Sequence, residues 1–307
     1  MRKFILSILK FILILGLTYP IIVWVWGLVV PAKFNKNIDT EKGSYSFSDR
    51  RFNELRNFGD VDLLILGSSH AFIEIDPRFF ENVGIKSFNL GSSAQTPIQT
   101  EILLKRYFKK LKPNFVVMDV FPRMFTMDGI ESSMDLVRND SVGFDYLCHA
   151  VASRNIKFLN TTLFHYLNNG FDSKYNNKYK VDNEYVSGGF VEEKLKRIKS
   201  FKLSENQWEF IESQFEALDR IIGFLKSKSV TVLLVESPYT KTLYASYTNH
   251  DDFIERLNSK VEYINYNGQL PLEDTLHFND QDHLNSDGVR IYNRLLVSDV
   301  VRKMKHN

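Results

Sequence analysis

Three side chains from two distant stretches of the sequence could together carry out nucleophilic chemistry. Ser69 closes the run Leu63-Leu64-Ile65-Leu66-Gly67-Ser68-Ser69-His70, an apolar stretch that stops at a Gly-x-Ser turn. Far downstream, Asp280-Gln281-Asp282-His283-Leu284 sets a carboxylate three positions before a histidine. A serine hydroxyl is a weak nucleophile until an imidazole takes its proton, and a carboxylate must fix that imidazole's tautomer. Residues three apart on a helical turn share a face, so Asp280 can reach His283. Asp282 is the rival carboxylate, but adjacent side chains diverge, which favours Asp280. Plainer readings stand beside this one: Ser68 and Ser69 could simply end a strand, and Asp280 and Asn285 could cap a helix entry. A metal cluster of Asp280, Asp282 and His283, with His277 near enough to join, is a further alternative, although it lacks a standard ligand motif.

Such a serine needs a strand that ends in a tight turn, followed by a helix whose first N–H groups can face an oxyanion. Candidate strands are Val61–Gly67, Ile85–Leu90, Asn114–Val120, Val230–Glu236 and Val261–Tyr266. Most lack strict alternation, as suits strands buried on both faces of a parallel sheet. Between them the spacing predicts helices at Pro97–Lys110 and at Glu205–Lys226, the second capped by Ser204 with Gln207, and one from near Ser286. Strands alternating with helices predict an α/β layered fold with a mostly parallel sheet. Residues 123–203 break the rhythm, with no clear strand and a Ser187-Gly188-Gly189 turn, and read as a largely helical insertion on the substrate side. Its basic run, Lys194 to Lys202, reads first as a solvated helix face. The strand end at Glu236-Ser237-Pro238-Tyr239 opens towards the same sheet edge, so Tyr239 is a candidate pocket wall or an ordinary core aromatic. His70 is likewise a candidate for the pocket rim or a polar packing residue.

The N-terminus carries a second signal. Arg2, Lys3 and Lys10 precede an uncharged stretch from Phe11 to Ala32. About 20 apolar residues match a bilayer core, and Trp24 and Trp26 suit its interfacial part. Basic residues ahead of the run place the N-terminus in the cytoplasm and the remainder outside. A cleaved signal peptide is the main competitor, but Val30-Pro31-Ala32 is a poor cleavage site and the run is long for one. A soluble core helix is disfavoured because the segment is apolar on every face. The expected organisation is therefore an anchor at 1–32, a juxtamembrane linker at 33–60 with a short helix around Arg51–Asn57, and an α/β domain at 61–307.

Composition narrows the classes. The chain has 307 residues, 44% of them hydrophobic, with a formal charge of +2, and so carries no nucleic-acid footprint. The lone Cys148 excludes an intramolecular disulfide framework and a cysteine zinc cluster.

Taken together, these segments resemble the SGNH (GDSL-type) hydrolase superfamily. Gly67-Ser68-Ser69-His70 stands where that family has Gly-Asp-Ser-Leu, and Asp280-Gln281-Asp282-His283-Leu284 matches its Asp-x-x-His block. Phe88-Asn89-Leu90-Gly91-Ser92-Ser93-Ala94 resembles its Asn-x-Gly-x-Ser-Gly block, with Ala94 in place of the second glycine. The third block departs from the pattern: after Val116-Val117-Met118 comes Asp119-Val120-Phe121-Pro122-Arg123, with no asparagine. The resemblance implies a three-layer α/β/α, flavodoxin-like domain behind one transmembrane helix. It implies Ser69 as nucleophile, His283 as base and Asp280 as its orienter. Gly91, Ala94 and Arg123 become the oxyanion or substrate contacts, the N–H groups of Ser69 and Ala94 foremost. It requires no metal and no organic cofactor. Among members, the anchor points to envelope proteins that act on acyl esters of cell-surface glycans beside a multi-span membrane acyltransferase. A catalytically inactive binding or scaffold protein of the same fold is the alternative.

Overall fold

The structure is a computed structural model that describes residues 1–44, 46–168 and 183–305. Its contacts divide these residues into two units, one holding 1–49 and 133–168, the other 50–132 and 183–305.

The larger unit is built on a five-stranded parallel sheet: β1 (Leu63–Leu66), β2 (Ser87–Asn89), β3 (Phe115–Asp119), β6 (Thr231–Glu236) and β7 (Tyr263–Asn265), in the order β2-β1-β3-β6-β7. Each lies inside one of the five apolar runs. Register sets Leu64 beside Phe88 on one side and Val116 on the other, and Val117 beside Leu233. Side chains alternate between faces of a sheet. Leu63, Ile65, Val117, Leu233 and Val235 pack with Tyr292, Leu296 and Val300 of the C-terminal helix Ser286–Lys305. Their neighbours Leu64, Leu66, Val116 and Met118 are just as buried, so both faces are covered. Helices Pro97–Leu111 and Glu212–Ser227 also flank the sheet.

Two differences from the sequence expectation have local causes. The helix expected from Glu205 begins only at Glu212. Trp208 and Ile211 are drawn out of it by bonds to other segments: the Trp208 N–H donates to Asn249 Oδ1 at 2.8 Å and the Ile211 N–H to the Phe125 carbonyl at 2.7 Å. Within the expected helical insertion stands an antiparallel hairpin, β4 (Glu184–Val186) and β5 (Phe190–Glu192). Its tip reaches edge strand β2, where the Asn89 N–H donates to the Gly188 carbonyl at 2.7 Å. Residues 169–182 of that insertion lie outside the described residues.

The smaller unit is helical. Its first helix, Arg2–Val29, is long and apolar enough to cross a membrane. Helices Phe144–Ala152 and Ile156–Leu167 belong to the same unit. Phe164 and Leu163 pack with Tyr19, Val23, Trp24 and Ile38, and a Cβ on Gly27 would lie 2.4 Å from the Phe164 ring. The segment expected as a linker is tied in by its 39–48 portion. The Gly43 N–H donates to Asn139 Oδ1 at 2.8 Å, and the Ser48 hydroxyl to Asp135 at 2.5 Å. Arg138 pairs with Asp39 at 3.0 Å. Helix Ser48–Asn57 follows, starting slightly ahead of the expected Arg51.

Candidate active site

Ser69 is the first residue of the short helix Ser69–Glu74, three residues beyond β1. Gly67 makes that turn possible. Its φ is +143°, and a Cβ there would stand 2.9 Å from the Cβ atoms of both Ala71 and Asp119. Asp119, at the end of β3, accepts the Ser237 N–H at 3.1 Å and the Phe121 N–H at 3.3 Å, tying the carboxyl ends of β3 and β6 together. Burial pushes its carboxyl up to about 7. On the other side, Asn89 at the end of β2 donates to the carbonyls of Ala71 and Ile75 at 2.7 and 2.9 Å. The nucleophile's helix is thus pinned between two strand ends.

The structure brings Ser69, His283 and Asp280 together. Ser69 Oγ and His283 Nε2 are 2.8 Å apart. His283 Nδ1 lies 3.0 Å from both carboxylate oxygens of Asp280, and Asp280 Oδ1 also accepts the backbone N–H of His283 at 2.8 Å and of Asp282 at 3.1 Å. The loop therefore wraps around the carboxylate and holds it against the imidazole. Asp282 does not diverge as expected: its Oδ1 stands 3.3 Å from the same Nδ1. Burial opposes the imidazolium form of His283, but the Asp280 hydrogen bond and the charges of Asp282 and Asp280 outweigh it and raise the pKa to about 9. Burial likewise works to raise Asp280, yet the bonds from His283 hold it below the usual carboxylate range. Asp282, more enclosed and beside another carboxylate, is pushed up.

The nucleophile's own helix also grips the histidine loop. His70 Nε2–H donates to the Asp282 carbonyl at 2.9 Å, and Glu74 Oε1 accepts the Leu284 N–H at 3.0 Å. His70 and Glu74 are one helical turn apart and hold the residues on either side of His283. The His70 ring stacks on that of His283 with centroids 4.9 Å apart. Burial, then the charge of His283, keeps His70 well below its ordinary value, so it is neutral. Burial pushes the Glu74 carboxyl well above its ordinary range. His70, Asp282 and His283 offer ligand atoms within 4.8 Å of one another. The His70 Nε2 and both His283 nitrogens are engaged by the bonds just described, so the group reads as a hydrogen-bonded relay. His277, the other candidate ligand, accepts the Glu273 N–H on its Nδ1 instead.

A cleft of about 160 Å³ opens over the serine, lined by Ser69, Ala94, Phe121, Arg123, Met127 and His283 among others. Ala94 sits in the left-handed region at φ +50°. Its N–H and that of Ser69 have no partner among the described residues, which leaves both for an oxyanion. The N–H of Gly91, a residue expected as an oxyanion or substrate contact, donates to Asn89 Oδ1 at 3.1 Å. Gly91 is instead a packing position, where a Cβ would meet Ala71 at 2.9 Å and the Ser68 carbonyl at 3.0 Å. Arg123 lines the cleft as an exposed cation. Tyr239 is buried, its hydroxyl donating to Glu236 at 2.9 Å, and is a core aromatic. A larger cavity, about 330 Å³ around Arg78, Phe79 and Phe190, contains none of the three relay residues.

Sequence reasoning left Asn89, Glu74 and Asp119 without roles. Two had a signal: Glu74 interrupts the apolar Ala71-Phe72-Ile73-Glu74-Ile75, and Asp119 closes the apolar Val116-Val117-Met118. A charge at such a place is buried, and a buried charge needs partners.

No protein-family model matches this chain, and no curated protein does. Among solved structures it is similar to a candidate acylhydrolase from Bacteroides fragilis, with a TM-score of 0.43 and 12% identity over 85% of this chain and 99% of that one. A GDSL-like lipase from Bacteroides thetaiotaomicron gives 0.41 and 12% over 85% and 100%. An acetyl xylan esterase from Butyrivibrio proteoclasticus gives 0.34 and 8% over 81% and 65%. The likenesses are distant. What the site can do follows from its own side chains.

Proposed function

We propose that the chain is a membrane-anchored serine esterase or O-acyltransferase of the SGNH type, acting outside the cytoplasm on acyl esters of cell-envelope glycans. The observation that carries the reading is the relay itself, Ser69 Oγ at 2.8 Å from His283 Nε2 with Asp280 at 3.0 Å from Nδ1. Ser69 Oγ attacks the ester carbonyl as its proton passes to His283 Nε2. Asp280 keeps Nδ1 protonated and stabilises the imidazolium. The oxyanion is received by the N–H groups of Ser69 and Ala94. His283 then returns its proton to the leaving alkoxide, and the acyl group stays on Ser69. Water or a glycan hydroxyl, deprotonated by His283, releases it, which makes the reaction hydrolysis or transfer.

The anchor is helix Arg2–Val29, with Arg2, Lys3 and Lys10 on the cytoplasmic side. A multi-span membrane acyltransferase is the partner this placement suits. The second reading is an inactive scaffold of the same fold. It is favoured by the third block, where the Asp119 carboxylate is committed to backbone N–H groups and, among the described residues, no side-chain amide lines the cleft.

Fluorophosphonate labelling of the full chain in detergent micelles, read by peptide mass, separates the two. One adduct on Ser69, absent from His283→Ala, is the expected result. A folded chain that takes no adduct would favour the scaffold.

A further inference from the structure

The helical unit holds a cavity of its own, about 290 Å³, lined by Tyr19, Ile22, Trp26, Asn35, Lys36 and Asn160 among others. The first three come from the apolar helix, Asn35 and Lys36 from the segment after it, and Asn160 from helix Ile156–Leu167. Asn35 is only 6% exposed, and neither its Oδ1 nor its Nδ2 has a hydrogen-bond partner among the described residues. Buried amides are almost always satisfied, so one that is wholly unpaired beside a cavity points to a ligand group that pairs it. The Asn160 Oδ1 is already occupied by the Tyr19 hydroxyl at 2.5 Å. Lys36 is exposed and makes no ion pair among the described residues, which gives the cavity one uncompensated cation.

Position identifies the ligand class. Helix Arg2–Val29 has 28 residues. At ~1.5 Å per residue it is longer than a hydrocarbon core of ~30 Å, so its last turns reach the headgroup layer. Trp24 and Trp26 stand in those turns, as aromatic side chains do at that level. Ile21, Ile22, Val25 and Val29 leave an apolar surface exposed on the same helix, and Ile22 also lines the cavity. A ligand that fits has acyl chains for this surface, an anionic oxygen for Lys36 and the Asn35 Nδ2–H, and a hydroxyl to donate to the Asn35 Oδ1.

We propose that this cavity binds the headgroup of an anionic, hydroxyl-bearing phospholipid of the outer leaflet, its phosphodiester on Lys36 and Asn35. The site rests on the anchor reading of the first helix. It would fix the depth and rotation of that helix, and would couple the unit to membrane composition.

Native mass spectrometry of the delipidated full chain in detergent tests it, titrating phosphatidylglycerol, phosphatidylcholine and inorganic phosphate. One phosphatidylglycerol should be retained about tenfold more tightly than phosphatidylcholine, and Lys36→Gln should remove most of that preference. Asn35→Leu should weaken retention by about tenfold with no fall in melting temperature, because it removes an unpaired buried amide. Equal retention by wild type and both variants would overturn the site. Binding of phosphate as tight as that of the lipid would also overturn it, reassigning the pocket to a soluble anion. Flotation with phosphatidylglycerol vesicles keeps the two readings apart. A chain that does not float refutes the anchor, whereas one that floats without Asn35-dependent retention refutes only the headgroup site.

Discussion

Among the described residues of the α/β unit, two histidines lie against carboxylates and come to opposite ends. Asp280 and His283 lie on a surface loop with side chains 55% and 20% exposed, and the outer nitrogen of His283 meets a serine hydroxyl in a cleft. Glu236 and His250 are 3.2 Å apart with side chains 0% and 5% exposed. Glu236 takes hydrogen bonds from Tyr239, Asn267 and the Tyr263 hydroxyl, and the His250 nitrogens face Tyr239 and Asn265 at 3.4 Å. Every atom of that second pair is enclosed by partners of its own. A carboxylate beside an imidazole is thus not a catalytic signature by itself. The chemistry depends on whether the second ring nitrogen opens onto a nucleophile and a space for substrate.

The largest effects should separate the pairs cleanly. His283→Ala should lower Ser69 labelling per folded molecule by roughly 10⁵-fold, since base and nucleophile act as a unit, with a loss of stability that shrinks as pH rises through about 9. His250→Ala should cost stability without that loss of labelling. It removes one partner of a buried pair and should cost about 3 kcal/mol of stability, with labelling per folded molecule kept within roughly threefold. A melting scan paired with labelling on each variant checks both. Loss of labelling from folded His250→Ala would mean that the second pair belongs to the site.

The next effect is a pH shift. His283 is raised to about 9, so the neutral imidazole that can accept the Ser69 proton becomes the major form only as pH rises through about 9. Labelling should climb with pH across that range. The sign for stability is opposite: the pair's contribution is fully present below the ordinary histidine value of 6.5 and is lost as pH rises through about 9. Asp280→Asn should cut labelling by on the order of 10³-fold and move the midpoint down towards 6.5. Asp282, with Oδ1 at 3.3 Å, should keep part of the upward shift. A midpoint unmoved in Asp280→Asn would make Asp282 the true orienter.

This contrast also marks what the sequence could and could not disclose. Strands β1, β3 and β6 were legible because burial on both faces leaves unbroken apolar runs, and Asp280 with His283 was legible because a spacing of three is a local geometry. Glu236 and His250 look equally chemical in sequence, and only tertiary enclosure tells them apart. The Glu205–Ile211 stretch has helical periodicity, yet Asn249 and Phe125 draw its backbone away, a competition between elements that no local pattern records. Gly91 looked like an oxyanion or substrate contact, but its N–H has a near acceptor in the Asn89 side chain, a tertiary detail the sequence does not record. The 39–48 segment looked like a linker because its ties are polar and reach residues 135–139, nearly a hundred positions on.

The smallest predicted effect sharpens the contrast furthest, because it concerns a buried carboxyl that serves the exposed pair. Glu74 is fully buried and its carboxyl is pushed well up, with Oε1 accepting the Leu284 N–H and Oε2 unpaired among the described residues. In Glu74→Gln the amide oxygen can keep that bond, so labelling should stay within roughly threefold of wild type. In Glu74→Leu the Leu284 N–H is orphaned beside His283, and a small displacement of the imidazole should cost roughly ten- to a hundredfold in labelling. Stability gives the independent readout. A carboxyl raised in the folded state favours folding below its ordinary value of 4.5 and loses that advantage as pH rises above it. Wild type should therefore melt progressively lower than Glu74→Gln as pH increases from 4.5 towards neutrality. Parallel curves for the two proteins would mean that Glu74 ionises freely in the fold. The raised carboxyl as a clamp on the histidine loop would then have to be abandoned, whatever Glu74→Leu did to labelling.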